Sequence, residues 1–214
     1  KKFSIKHNIE KVYSNYNDAL NDHENWDCVL IASSVDTTFP ILKDALKKNK
    51  PIMVEKPVSI NPNDLLALEG NLNNVFVAYN RRFYSTVQYA KEFINKNNPC
   101  HIKLELPDSM DFNISRDKQQ FFSVRENSVH GFDLLFYLLP ELKLEKVIDY
   151  QQPNNSFGKF ALLNSSRGDT ALIYLNWNSP SNFSLNIESN PYRLELKPFE
   201  SFSLYYGMEV VEAS

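Results

Sequence analysis

Apolar residues follow two different rhythms along this chain, and the change between them divides it. From "YNDALND" to "FVAYN", short runs that are apolar throughout, "CVLIA", "PIMVE" and "VFVAY", alternate with helical pattern in "TFPILKDALKKNK" and "NPNDLLALEGNL". Strands separated by helices of this length predict βαβ units, and uninterrupted apolar runs predict strands covered on both faces in a parallel sheet. Asn61 before Pro62 fits a helix N-cap followed by proline in the first turn.

After about Arg82 the rhythm changes. "YSTVQYAKEFINKN" predicts a helix, "HIKLELP" a short strand, and "NSVHGFDLLFYLLPEL" another helix after an irregular section. Beyond Lys146, "KFALLNS", "TALIYLNW", "FSLNIES", "YRLELKP" and "SFSLYYG" are strands spaced by turn residues, an antiparallel sheet with a helix on one face. The predicted fold class is α/β plus α+β. A parallel α/β portion occupies residues 1–80, an α+β domain with an open antiparallel sheet occupies 81–214, and the boundary lies near 79–83.

Composition narrows the class. With 214 residues, 43% hydrophobic and 13% aromatic, the chain has material for packed cores. A net charge of -3 without a long basic run argues against a nucleic-acid partner. No run approaches the about 18 apolar residues that span a bilayer, and the opening residues lack an apolar signal-peptide core, so the reading is a soluble, cytoplasmic protein with no membrane partner. Of two cysteines, Cys28 lies inside an apolar run and reads as a small hydrophobe, and neither it nor Cys100 has metal-site spacing. The four histidines are scattered, so no catalytic metal is expected. Asn is frequent in turns, where it replaces scarce glycine.

Candidate chemistry lies first at the strand ends, because open parallel sheets bind ligands outside the carboxyl ends of their strands. "CVLIA" runs into Ser33 and Ser34, "PIMV" into Glu55, Lys56 and Pro57, and "VFVAY" into Asn80, Arg81 and Arg82. Pro57 biases Lys56 toward extended backbone and stops the strand. Taken alone, "EKP" also reads as a solvent-exposed lysine at a strand end. The second constellation is "RENSVHGFDLLFY": a helix from Asn127 or Ser128 puts His130, Asp133 and Tyr137 on one face and Phe132, Leu135, Leu138 and Leu139 on the other. Glu126, four residues before His130, is placed to fix its tautomer and raise its basicity. The competing reading is a half-buried histidine satisfied by its neighbour.

In this order, "WDCVLIASSVDTTFPILKDALKKNKPIMVEKPVSI", "FVAYNRRF" and "ENSVHGFDLLFYL" resemble the Gfo/Idh/MocA family of glucose-fructose oxidoreductase and inositol 2-dehydrogenase over nearly the whole chain. The resemblance implies a partial Rossmann-type nucleotide-binding domain followed by a substrate and oligomerisation domain. It implies hydride transfer between NAD or NADP and a hydroxyl-bearing carbon of a sugar, sugar nucleotide or cyclitol. Carried over, Lys56, His130 and Glu126 are catalytic. Ala32, Ser33, Ser34, Glu55, Lys56, Pro57, Asn80 and Arg81 border the cofactor, while Lys56, Arg81, His130 and Asp133 face the carbohydrate. A neutral imidazole is suited to take the hydroxyl proton, and a nearby ammonium stabilises developing alkoxide charge.

The sequence departs from the family in three places. Its five glycines are not clustered, so the Gly-x-Gly-x-x-Gly phosphate turn is missing. Glu126 stands where aspartate is usual, and "SSVDTT" lacks the usual proline, asparagine and histidine. The resemblance therefore implies a longer natural chain, whose first strand would cover the otherwise exposed edge of "CVLIA". The alternative is a non-catalytic carbohydrate-binding or scaffolding protein without a cofactor site. A homo-oligomer is expected in either case.

Overall fold

The computed structural model describes residues 2–68, 72–107, 128–151, 157–176 and 179–214. The chain divides into two compact units, Lys1–Ala78 and Tyr79–Ser214. The first contains α1 (Lys2–Lys6), α2 (Tyr16–Asn21), β1 (Val29–Ile31), α3 (Val35–Leu46), β2 (Ile52–Val54), α4 (Pro62–Leu66) and β3 (Val75–Val77). Its strands are parallel and lie in the order β1-β2-β3, with Leu30 beside Met53 and Met53 beside Phe76.

This sheet has one covered face. Ile31, Ile52 and Val54 join Leu42 and Ala45 of α3 and Leu20 of α2 in the core, whereas Leu30, Met53 and Phe76 form an exposed apolar line. The expectation of helices on both faces is thus not met among the described residues, because α2 and α3 share one side. Cys28 is exposed as well, since the ladder begins one residue later. Asn61 caps α4 by accepting from the Asn63 N–H at 3.1 Å, with Pro62 in the first turn. Asn49 takes the left-handed conformation just after α3 (φ 53°), the asparagine-for-glycine use expected of a turn.

The second unit is built on one eight-stranded sheet. Its helices are α5 (Ser85–Lys96) and α6 (Val129–Leu138), and its strands run from β4 (His101–Leu106) through β5 (Lys143–Gln151), β6 (Phe157–Asn164), β7 (Thr170–Asn176), β8 (Ser184–Ser189), β9 (Tyr192–Leu196) and β10 (Phe202–Tyr206) to β11 (Glu209–Ala213). The order is β11-β10-β9-β8-β4-β7-β6-β5. The sheet is mixed rather than antiparallel: β4 lies parallel to β7, with His101 opposite Thr170 and Leu106 opposite Leu175. Entering between β8 and β7, β4 must run along one of two neighbours that are reached by a crossover.

Alternation decides which face is covered. Ile102, Leu104 and Leu106 of β4, Ala171 and Ile173 of β7, and Leu185 and Ile187 of β8 point into one core with Val87, Ala90 and Ile94 of α5 and Leu134, Leu135 and Leu138 of α6. Thr86, buried on α5, donates to the Phe199 carbonyl at 2.6 Å. Asp169, at 1% exposure, accepts from the Cys100 N–H at 3.0 Å, from Ser165 Oγ at 2.9 Å and from Arg167, tying the β6–β7 turn to the start of β4. Burial alone would raise the Asp169 carboxyl, but these donors outweigh it and hold the group below the usual carboxylate range. Burial pushes the Cys100 thiol up to about 11, with Asp169 adding to the rise, so it packs as an inert hydrophobe.

Two measurements follow. A carboxyl depressed on folding contributes stability above its unfolded pKa and loses it as pH falls through the folded one. Urea denaturation of Asp169→Asn is therefore expected to show a loss of about 2 kcal/mol at neutral pH that shrinks on acidification below about pH 4. Ellman's reagent at pH 8 is expected to label Cys28 rapidly in the native protein and Cys100 only after denaturation.

Candidate functional site

In the first unit the polar groups gather where the strands end. The ladder continues one step past the strands, with the Glu55 N–H donating to the Ile31 carbonyl and the Ala78 N–H to the Val54 carbonyl, each at 2.9 Å. The three carboxyl ends therefore stop level, at Ala32-Ser33-Ser34, Glu55-Lys56-Pro57 and Ala78. Ser33 and Ser34 lead into α3, whose N-cap is Ser34. Both hydroxyls are held within this turn: Ser33 Oγ lies 3.0 Å from Thr38 Oγ1, and Ser34 Oγ lies 3.1 Å from Thr37 Oγ1.

Lys56 is half-buried, and its backbone N–H donates to Glu55 Oε2 at 3.2 Å. The Lys56–Pro57 peptide bond is cis. Ala32, Ser34 and Glu55 are exposed, while Val58, directly after Pro57, is buried in the unit's core and anchors the turn. This rim carries hydroxyls, an ammonium and extended backbone, a donor set that fits the ribose and phosphate oxygens of a nucleotide.

In the second unit the candidate residues surround α6. His130 is buried at 6% exposure on its first turn, and its imidazole meets the Tyr79 ring nearly at right angles, with centroids 6.2 Å apart and planes at 79°. A short 3-10 turn, Asn80–Phe83, precedes α5. On it Asn80 is exposed, and the Arg81 guanidinium lies 5.8 Å from the Phe183 ring and 5.6 Å from the Phe199 ring. Glu126 lies outside the described residues.

Both oxygens of Asp133 accept from Arg82, Nε donating to Oδ2 at 2.8 Å and Nη2 to Oδ1. The pairing raises the Arg82 guanidinium further above its ordinary value. Burial raises the Tyr79 hydroxyl, and the Asp133 charge adds to this. Tyr79 and Arg82 went unassigned in the sequence. Their signal is faint, since Arg82 and Asp133 are 51 residues apart and nothing local distinguishes Arg82 from Arg81.

Glycine at 131 lets α6 approach the sheet. A Cβ there would fall well inside van der Waals contact of Leu106 Cδ2, and Leu106 is itself fully buried on β4. Among the described residues, no three His, Cys, Asp or Glu side chains are grouped to hold a metal, and no helix is long and apolar enough to cross a membrane.

Residues 1–79 match the profile of the oxidoreductase family GFO_IDH_MocA, described as an NAD-binding Rossmann fold. Over those residues, and those alone, the family model matches. The uncharacterized oxidoreductase YrbE of Bacillus subtilis (strain 168) is 27% identical over 146 residues, spanning 65% of this chain and 42% of its own. Among solved structures, an inositol dehydrogenase homolog from Azotobacter vinelandii, complexed with NADH and myo-inositol, superposes with a TM-score of 0.79 at 15% identity, over 100% of this chain and 64% of its own. Levoglucosan dehydrogenase, in complex with NADH and levoglucosan, gives a TM-score of 0.75 at 13% identity, over 99% of this chain and 66% of its own. These likenesses establish the fold. This chain spans less than two thirds of the length of each of these proteins.

The helix placement yields a direct test. Gly131→Val is expected to cost roughly 1–3 kcal/mol, read as a lowered melting temperature, because the fully buried Leu106 side chain would have to shift. An unchanged melting temperature would mean that α6 stands further from the sheet.

Proposed function

We propose that the whole protein is an oxidoreductase that moves a hydride between NAD or NADP and the hydroxyl-bearing carbon of a sugar, sugar nucleotide or cyclitol. The observation that carries this reading is the level rim of the parallel sheet, where Ala32-Ser33-Ser34 and Glu55-Lys56-Pro57 end adjacent strands at the edge open parallel sheets use for nucleotides. The match of residues 1–79 to an NAD-binding family supports it, as do the inositol and levoglucosan enzymes among the structural relatives.

The residues fall into roles. Ser33 and Ser34 hydrogen-bond cofactor oxygens, and Asn80 and Arg81 border the nicotinamide and the carbohydrate. The nicotinamide, when bound, accepts or delivers the hydride. His130 takes the hydroxyl proton as the carbinol is oxidised and returns it in the reverse direction. The Lys56 ammonium stabilises the charge that grows as the proton leaves. Burial keeps water from competing at His130. We also read the protein as a homo-oligomer, supported by Leu162 and Leu172, directly paired on β6 and β7 and exposed at 41% and 37%.

The test uses the full-length protein, titrated with NADH and NADPH by fluorescence transfer from tryptophan, then assayed on cyclitols and sugar nucleotides. The expected result is saturable binding and turnover, with Lys56→Ala and His130→Ala each lowering kcat by about 10²–10⁴-fold. Full turnover by Lys56→Ala, or no nucleotide binding by the folded full-length chain, would contradict the reading and favour a carbohydrate-binding protein without a cofactor.

A further inference from the structure

We propose that Arg82 is a positioning residue for His130, acting through Asp133 and Tyr79 to fix the rotation of α6 and the side wall of the imidazole. The inference rests on the acid/base reading of His130 and extends it to residues which that reading leaves unused.

Three features of the cluster carry it. The first is the two-point contact. Asp133 lies one helical turn after His130, so whatever fixes the direction of one side chain from the helix axis fixes the other. A planar guanidinium holding both carboxylate oxygens sets an angle as well as a distance, which a single ammonium contact does not.

The second is desolvation. The Asp133 side chain is 6% exposed, so breaking the pair would leave a charge stripped of water. The pair is therefore expected to persist as ligands come and go, keeping α6 in one orientation.

The third is the aromatic packing. The guanidinium carbon lies 5.4 Å from the Tyr79 ring centroid and 5.1 Å from that of Tyr137. Tyr137 is one turn beyond Asp133 on α6, and Tyr79 is the ring that stands nearly perpendicular to the His130 imidazole. The imidazole is thus walled by a tyrosine that Arg82 itself packs against. The Gln88 amide donates to the Arg82 carbonyl and, at 3.3 Å, to the Tyr137 hydroxyl, while Lys91 Nζ sits 4.0 Å from the Tyr137 ring centroid. The turn that carries Asn80 and Arg81 is thereby joined to α5 and α6.

The experiment uses the full-length protein and two variants. Arg82→Lys keeps the charge and loses the fork; the double variant Arg82→Met/Asp133→Leu removes both charges at similar volume, so no buried charge is stranded. The His130 ring resonances, assigned with His130→Gln, are recorded by NMR beside kcat and KM. The proposal expects shifted or multiplied His130 resonances in both variants. It also expects kcat lowered about 10–100-fold, as for removal of other outer partners of a functional histidine, with the nucleotide KM within about twofold. Native-like His130 resonances and unchanged kcat in a folded double variant would overturn it and leave the pair a packing feature. If Arg82→Lys does not fold, the double variant decides. The NMR arm needs no turnover, so it still judges the positioning role should the wild-type protein prove to reduce or oxidise no carbohydrate.

Discussion

Burial of the apolar side of α6 against the sheet is the constraint on which the second unit's candidate site depends. Leu134 and Leu135 are fully buried and Leu138 nearly so, each worth about 1.5–3 kcal/mol of removal from water. An ion pair taken out of water comes closer to breaking even. Packing therefore holds the helix in place, and the Arg82–Asp133 pair adds direction rather than most of the stability. Gly131 belongs to the same account: without a side chain, the helix comes close enough to β4 for Leu106 to fill the gap. The polar side of the helix has one remaining direction, and His130, Asp133 and Tyr137 all contact residues of the Tyr79–Arg82 segment or α5 there.

The first unit obeys a different rule. In a parallel sheet the strand interiors are occupied by pairing and packing, so chemistry is left to the strand ends, where side chains leave the ladder. Lys56 follows a strand of three residues, two of them almost wholly buried, and precedes a buried valine. Its backbone is held on both sides while its side chain is not drawn into the core, a good arrangement for a group that must meet a ligand in a set position.

Much of this was legible in the sequence because burial writes itself as period. The three parallel strands, the α5 and α6 helices and the strands β6 to β10 are all places where one face or both is apolar. β5 and β11 were not legible: nearly every residue of both is exposed, so "KLEKVIDYQ" and "EVVEA" carry no burial alternation. Their side-chain contacts, such as Asp149 with Lys159 and Tyr89 with Glu212, are polar pairs at the surface. The parallel pairing of β4 with β7 is a contact 69 residues apart and leaves no local mark, and neither does Arg82 reaching Asp133. Helical spacing correctly grouped His130, Asp133 and Tyr137, but spacing gives a shared face and not the occupant of that face.

We propose that Lys56, at the end of β2, meets the nicotinamide and that His130 takes the hydroxyl proton. The most direct measurement is a crystal structure of the full-length protein with NAD bound and a cyclitol or sugar soaked in. The expected result is a nicotinamide seated at the end of β2 beside Lys56, with the His130 imidazole within hydrogen-bonding reach of the substrate hydroxyl. A bound nucleotide with His130 turned away from it, or a nicotinamide lodged away from the end of β2, would contradict the account.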